Sequence, residues 1–306
     1  MTEEGINVSS LVNTEKSSAI SIKLAKKQKP WLGLGKALLH NKMSLIGGFI
    51  IVIYLVMALL APVIAPYDPY EIDLVNKLEA PSSEHIMGTD DKGRDIFSRI
   101  LYGSQLSLSV GVVSVLIGAF FGIILGIVSG YYGKWIDTII MRVIDVLLAF
   151  PGILLALAIV SALGPSLINV MVAVGVFSIP TFARIVRGST LAAKKMEYID
   201  AIKVLGASDA KIIFVHILPN ILSPIIVQGT LRLATAILSA AGLSFLGMGA
   251  QPPSAEWGAM LSDGRDFLWT APHIALFPGL AIAIIVLAFN LFGDGLRDAL
   301  DPRMKQ

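Results

Sequence analysis

The chain has 306 residues, 55% of them hydrophobic and only 15% charged, with a formal net charge of +2 and no cysteine. A soluble domain carries about 25% charged residues; here the deficit is gathered into uncharged runs of roughly twenty or more residues, the length a helix needs to cross a bilayer. Such a chain is not a soluble globular protein, does not bind nucleic acid through excess positive charge, and has no disulfides or thiolate metal sites. It is expected to be an all-α integral membrane protein that spans the bilayer six times.

Residues 1–42 come first. Residues 1–30 are rich in Ser, Lys and Glu and lack an early apolar run, so they read as a solvated tail without a cleaved signal segment. In "WLGLGKALLHNK", residues 31–42, Trp31, Leu34 and Leu38 share one helical face, the pattern of an interfacial helix. The first predicted span is 43–66. A loop follows at 67–105. Its stretch "HIMGTDDKGRDIFSR" gathers Asp90, Asp91 and Asp95, but Lys92 and Arg94 interrupt the alternate-acid spacing of a calcium loop. It reads as a folded, ion-paired loop, and its eight acids from Asp68 to Asp95 could also dock a soluble partner.

Residues 106–293 hold five further predicted spans, at 106–129, 138–161, 167–186, 221–246 and 274–292. In the second span Gly118, Gly122, Gly126 and Gly130 recur every four residues. Small residues at that period let another helix backbone approach closely; packing within the chain's own bundle is the simpler reading, and a sliding seam or a second-subunit contact the other. In the third span Arg142 and Asp145 are three apart and so placed to pair. Pro180 and Pro224 can kink the fourth and fifth spans. Arg232 stands about halfway along the fifth, where a lone cation must face water or a partner. It could line a hydrated path or meet an acid on another helix or subunit. Residues 294–306 close the chain as a polar tail.

Between the fourth and fifth spans lies a charged island, 187–220, containing "EYIDAIKVLGASDAKIIFVHILPN". Tyr198, Ala201, Ile202 and Leu205 follow i, i+3, i+4, i+7 and predict a short helix with one apolar stripe; Glu197, Asp200 and Lys203 fall off it. Gly206 is placed to end that helix in left-handed geometry. Ser208 is placed to cap a second helix, and Pro219 to close the segment. An apolar stripe beyond the membrane must be buried against something.

Lys and Arg placement orients the chain. With the N-terminus in the cytoplasm, 18 of the 24 basic residues lie in inside segments. Both termini and the island are then expected to be cytoplasmic, and the 67–105 loop extracytoplasmic. The sequence has no phosphate-loop pattern, no H-E-x-x-H and no G-x-S-x-G.

The island resembles the EAA loop of permease subunits in binding-protein-dependent ABC importers, whose pattern is E-A-A, three residues, G, nine residues, I-x-L-P. Here Asp200-Ala201-Ile202, Gly206 and His216-Ile217-Leu218-Pro219 keep the spacing, with Asp for Glu, Ile for the second Ala and His for Ile. "GTDDKGRDIFSRILYGSQLSLSVG", "GLSFLGMGAQPPSAEWGAML" and "NLFGDGLRDALDPR" are similar to the C-type permease of dipeptide, oligopeptide and nickel importers. The resemblance runs from about residue 30 to the end. It implies a type I permease fold in a prokaryotic inner membrane, pairing with a homologous second permease. Two ATPases would hold ATP and magnesium, none of it bound by this chain, and an extracytoplasmic binding protein would deliver cargo. Asp200, Ala201 and Gly206 carry over as the ATPase contact; Glu197, Tyr198, Ile202 and Leu205 are added from the stripe. The expected cargo is a di- or oligopeptide, with nickel or another small solute as the alternative. A secondary transporter would need acids within its spans, and an intramembrane enzyme a nucleophile–base or metal constellation there. Neither pattern is present in the sequence.

Overall fold

The computed structural model describes residue 38 and residues 41–300. Within them the chain is almost wholly helical, with one isolated β-bridge between Thr89 and Asp95. The expected tail and interfacial helix at 1–42 lie almost entirely outside the described residues. In chain order the helices are α1 (Lys42–Ile64), α2 (Ile96–Tyr132), α3 (Lys134–Ala149), α4 (Gly152–Leu163), α5 (Leu167–Lys194) and α6 (Glu197–Val204). A single turn at Asp209–Lys211 and a π-helical stretch at Ile212–Ile217 lead into α7 (Leu218–Phe245), followed by α8 (Trp257–Gly264) and α9 (His273–Leu300).

Polar caps set several of the starts. The Asn41 side chain accepts from the N–H groups of Met43 and Ser44, Asp95 from Ser98 at 2.7 Å, and Ser166 from Asn169 at 3.1 Å. Each satisfies donors that a helix start leaves orphaned. Because Asp95 caps α2, that helix begins ten residues before the expected span, and at 37 residues it is longer than a bilayer crossing requires. Helix α9 likewise continues through residues 294–300, expected as tail.

Among the described residues, five helical segments are long and apolar enough to cross a membrane: α1, α2, α5, α7 with its lead-in, and α9. The expected third span, 138–161, is instead the pair α3–α4, bent by 90°. The cause is Phe150-Pro151. Proline excludes the preceding residue from the helical region, and Phe150 is extended at ψ 136°. Taken together, α3 and α4 are apolar enough for a sixth crossing, with a sharp corner between them. Pro219 departs from expectation in the opposite sense: it ends nothing and sits in the first turn of α7. Its missing N–H and its ring disturb the preceding turn. That turn is widened there, with the Leu218 N–H bonding to the Ile213 carbonyl five residues back.

Helices α2 and α5 meet backbone to backbone along the four-glycine seam. A Cβ built on Gly126 would lie 2.7 Å from the Ala183 carbonyl oxygen, and one on Gly130 would lie 3.0 Å from that of Arg187. The seam is packing within the bundle. On the far side, α1 rests on α9, where Gly47 crowds the Ala288 carbonyl. Its other face leaves Phe49, Leu59 and Val63 exposed, as a lipid-facing helix must.

At the end carrying the 67–95 loop, the chain is tied down by buried charge. Asp90, Arg94, Asp95 and Arg99 are all buried. Arg94 Nε pairs with Asp90 at 2.7 Å, and His85 with Asp95 at 2.9 Å. Arg99 donates to the carbonyls of Pro69 and Ser254, at 2.9 and 3.0 Å, so it joins this loop to the segment before α8. The ion-paired loop expected from sequence is present. Glu256 completes the lock: its carboxylate caps α8 by accepting from Gly258 at 3.0 Å and Ala259 at 2.9 Å. Burial pushes the Glu256 carboxyl above the usual range, against the pull of those two N–H groups. Beside it the Trp257 indole donates to the Ile100 carbonyl at 3.1 Å.

Gly126→Ala is expected to destabilise the protein by about 1–3 kcal/mol through overpacking of the seam, read as a lower thermal midpoint in detergent. Gly229→Ala, with open space at its Cβ, should leave the midpoint unchanged or raise it. Glu256→Ala orphans two buried donors and should cost roughly 1–3 kcal/mol by the same measurement.

Candidate functional site

Helix α6 projects from the bundle end where α2 and α5 finish and α7 begins. Its acids Glu197 and Asp200 lie in the first turn and Lys203 in the last, the distribution its dipole favours. The helix ends in a complete Schellman motif. The Gly206 N–H bonds to the Lys203 carbonyl at 3.0 Å and the Ala207 N–H to that of Ile202 at 3.2 Å. Gly206 has φ +83°, a conformation that penalises any Cβ. The Ser208 hydroxyl accepts from the Lys211 N–H at 3.4 Å, and its carbonyl from the Ile212 N–H at 3.0 Å. The elbow is helix, glycine bend, helix, and its second arm runs unbroken into membrane helix α7.

The elbow has two apolar faces, where the spacing predicted one. Ile199 is 2% exposed and packs, with half-buried Ile202, on Ile212, Ile213 and Ile217 and on Ile127 and Val186 of α2 and α5. This inner face roots the elbow in its own chain. Of the predicted stripe, only Ile202 belongs to it. Ala201 is exposed, Tyr198 is 41% exposed and Leu205 84%. Val204, off the stripe, is 87% exposed. Tyr198 also turns back to its own chain, its hydroxyl accepting from Asn220 at 2.9 Å. The sequence reading missed Ile199 as anchor and Val204 as outer-face residue. Their adjacency to Tyr198 and Leu205 was the available signal.

Polar contacts brace the root. The Tyr131 hydroxyl donates to Asp209 at 2.6 Å, and Lys194 donates to the Tyr131 carbonyl at 2.5 Å. Arg187 holds Asp137 through two hydrogen bonds, both 2.6 Å, and Ser129 also bonds Asp137. Asp145 pairs with Arg184 of α5 at 2.6 Å, not with Arg142 as its spacing suggested. An i, i+3 pair lost to a partner from a neighbouring helix.

Arg232 is far from this elbow along α7. The structure brings it to α5, where it donates to the Thr181 hydroxyl and lies 5.8 Å from the centre of the Phe177 ring. Among the described residues it has no carboxylate partner. On the elbow side of Arg232, Ser223, Gln228 and Leu231 line a cavity of about 400 Å³ with Ile185 of α5 and Arg297 of α9.

Residues 122–306 match the family described as binding-protein-dependent transport system inner membrane component. Residues 29–81 match the N-terminal TM domain of oligopeptide transport permease C. The dipeptide transport system permease protein DppC of Alkalihalophilus pseudofirmus is 51% identical over 276 residues, 90% of this chain and 91% of that protein. The glutathione transport system permease protein GsiD of Pectobacterium atrosepticum is 50% identical over 279 residues, 90% and 92% of the two chains. Among solved structures, an inward-facing MetNI methionine ABC transporter chain superposes with a TM-score of 0.54 at 19% identity. That match covers 67% of this chain and 98% of the other, and at that identity it speaks to the fold alone. The chain belongs to the family of binding-protein-dependent transport system inner membrane components, the permeases of ABC importers.

Proposed function

We propose that this chain forms half of the translocation pathway of an importer for di- or oligopeptides and is driven through the α6 elbow. A homologous second permease would complete the pathway. Two ATPases would supply ATP and magnesium, and an extracytoplasmic binding protein would deliver cargo to the 67–95 loop in a prokaryotic inner membrane. Both termini would lie in the cytoplasm with the elbow, as the Lys and Arg bias supports. The peptide cargo rests on relatives named for dipeptide and glutathione transport. Nickel or another small solute remains the alternative.

The observation that carries the reading is the elbow's outer face. Val204 and Leu205 stand almost fully exposed on a helix whose opposite face is locked into the bundle. A rooted helix with bare apolar tips is suited to a partner's groove. Glu197, Asp200, Ala201 and Gly206 share that outer surface, and Tyr198 and Ile202 link it to the root. ATP binding shifts the permease between states only through contacts that differ between them. A rigid elbow continuous with α7 would convert ATPase closure into helix movement. Arg232 is assigned to the pathway.

Ala201→Cys, in this cysteine-free chain, should crosslink to an ATP-binding polypeptide in complexes purified with their binding protein and captured ligand. Crosslinks that never reach such a polypeptide, in a preparation that imports, would overturn the reading. Identifying the ligand decides between peptide and metal. Gly206→Val, strained by about 1–3 kcal/mol at positive φ, should leave membrane insertion intact and lower transport per ATP hydrolysed by roughly tenfold. Gly206→Asn tolerates that geometry and should retain coupling.

A further inference from the structure

A membrane-spanning helix that faces only lipid and its own bundle has no reason to carry a row of polar side chains. Helix α7 carries one. Gln228, Arg232, Thr235 and Ser239 follow i, i+4, i+7, i+11, a single face. None of the four is fully buried, and Thr235 is exposed. The row starts at the cavity that Gln228 and Ser223 line with Arg297. Its neighbour on α5 is Thr181, itself polar and half-buried. A charge at such a depth is tolerated where it reaches water or a counter-charge, and the described residues offer Arg232 no carboxylate. Of the five donors of its guanidinium, one bonds a described residue, the Thr181 hydroxyl. The flat ion rests near the Phe177 ring, which holds the plane without neutralising it.

We propose that this polar face is the chain's wall of the translocation pathway and that Arg232 accepts the carboxylate of the solute as it passes. The proposal rests on the permease reading but not on the elbow. A planar guanidinium with free donors matches a carboxylate in geometry and charge. Transit requires binding weak enough to release, and one partly hydrated guanidinium meets that requirement.

The absence of cysteine permits a test that needs no knowledge of the cargo. In the assembled complex, Thr235→Cys is probed with anionic methanethiosulfonate ethylsulfonate and with its cationic trimethylammonium counterpart; Ile226→Cys, exposed on the opposite side of α7, is the control. The thiol introduced by Thr235→Cys should react and the one introduced by Ile226→Cys should not. The anionic reagent should be favoured in the Thr235→Cys variant, and adding Arg232→Gln should lower the anion-to-cation rate ratio by about fivefold, the effect of one charge across one helical turn. Arg232→Lys should keep most of the preference. An unreactive thiol in the Thr235→Cys variant would overturn the pathway wall. A ratio indifferent to Arg232→Gln would show its charge already cancelled by an acid of the second permease, and would overturn the carboxylate site. Either failure leaves the elbow crosslink untouched, so the two readings fail separately.

Discussion

The burial of Ile199 and Ile202 against Ile212, Ile213 and Ile217 is the interaction on which the geometry of the elbow depends. Without it α6 would be an eight-residue helix on two flexible joints, too short to hold its shape in water. With it, the elbow is part of the bundle. Each fully buried isoleucine contributes about 1.5–3 kcal/mol, and the cluster extends to Ile127 and Val186, so the elbow is fixed to α2 and α5 as well as to α7. Tyr131, Asp209 and Lys194 add directional bonds at the same junction. A push on Val204 or Leu205 meets packed side chains, and packed side chains transmit displacement.

Where that displacement goes follows from the glycine seam. Contact between backbones leaves α2 and α5 little room to slide, and the Asp137–Arg187 and Asp145–Arg184 bonds tie α3 to α5 at the elbow end. These helices form one body. Helix α7 is joined to the elbow covalently, through a π-helical stretch. A widened turn is a place where a helix changes register more cheaply than in a regular α-helix. The join between the α5 body and α7 includes the Thr181–Arg232 bond. Elbow and proposed pathway face are thus linked through two helices that share a root and stay packed together past Arg232.

Much of this was legible in the sequence because it is local. Gly206 must follow a helix in left-handed geometry wherever that helix packs, and Ser208 caps what comes next. Uncharged runs mark membrane helices, and a lone Arg232 within one marks a hydrated or paired site. What was misread depended on partners. Helix α6 has apolar residues on two sides, and periodicity cannot say which side meets its own chain. The stripe through Tyr198, Ala201 and Leu205 was a true pattern; the buried side was Ile199. Asp145 was assigned to Arg142 by spacing and went to Arg184 on another helix. Pro151 and Pro219 show the same dependence. Both prolines follow a large apolar residue, yet one breaks its helix by 90° and the other is absorbed by a π turn. Pro151 is followed by Gly152, which presses on the Phe177 ring and so holds the corner in place. Pro219 has Ile213 and Ile217 packed in the core on either side of the widened turn, and their burial keeps the helix continuous.

Phe177 therefore serves at two sites. Its ring receives the corner at Gly152 and lies near the Arg232 guanidinium. A fixed carboxylate in place of that ring would hold Arg232 more strongly, and would also leave it nothing to offer a passing anion. Ion pairs formed away from water are expensive to break, and a residue in the role proposed for Arg232 must exchange partners in every cycle. A hydroxyl and an aromatic face restrain the side chain while its charge stays open. The bent pair α3–α4, which sets Gly152 against Phe177, belongs for that reason to the same arrangement as the cation: the bend at Pro151 supports the ring, and the ring supports an arginine for which the described residues supply no carboxylate.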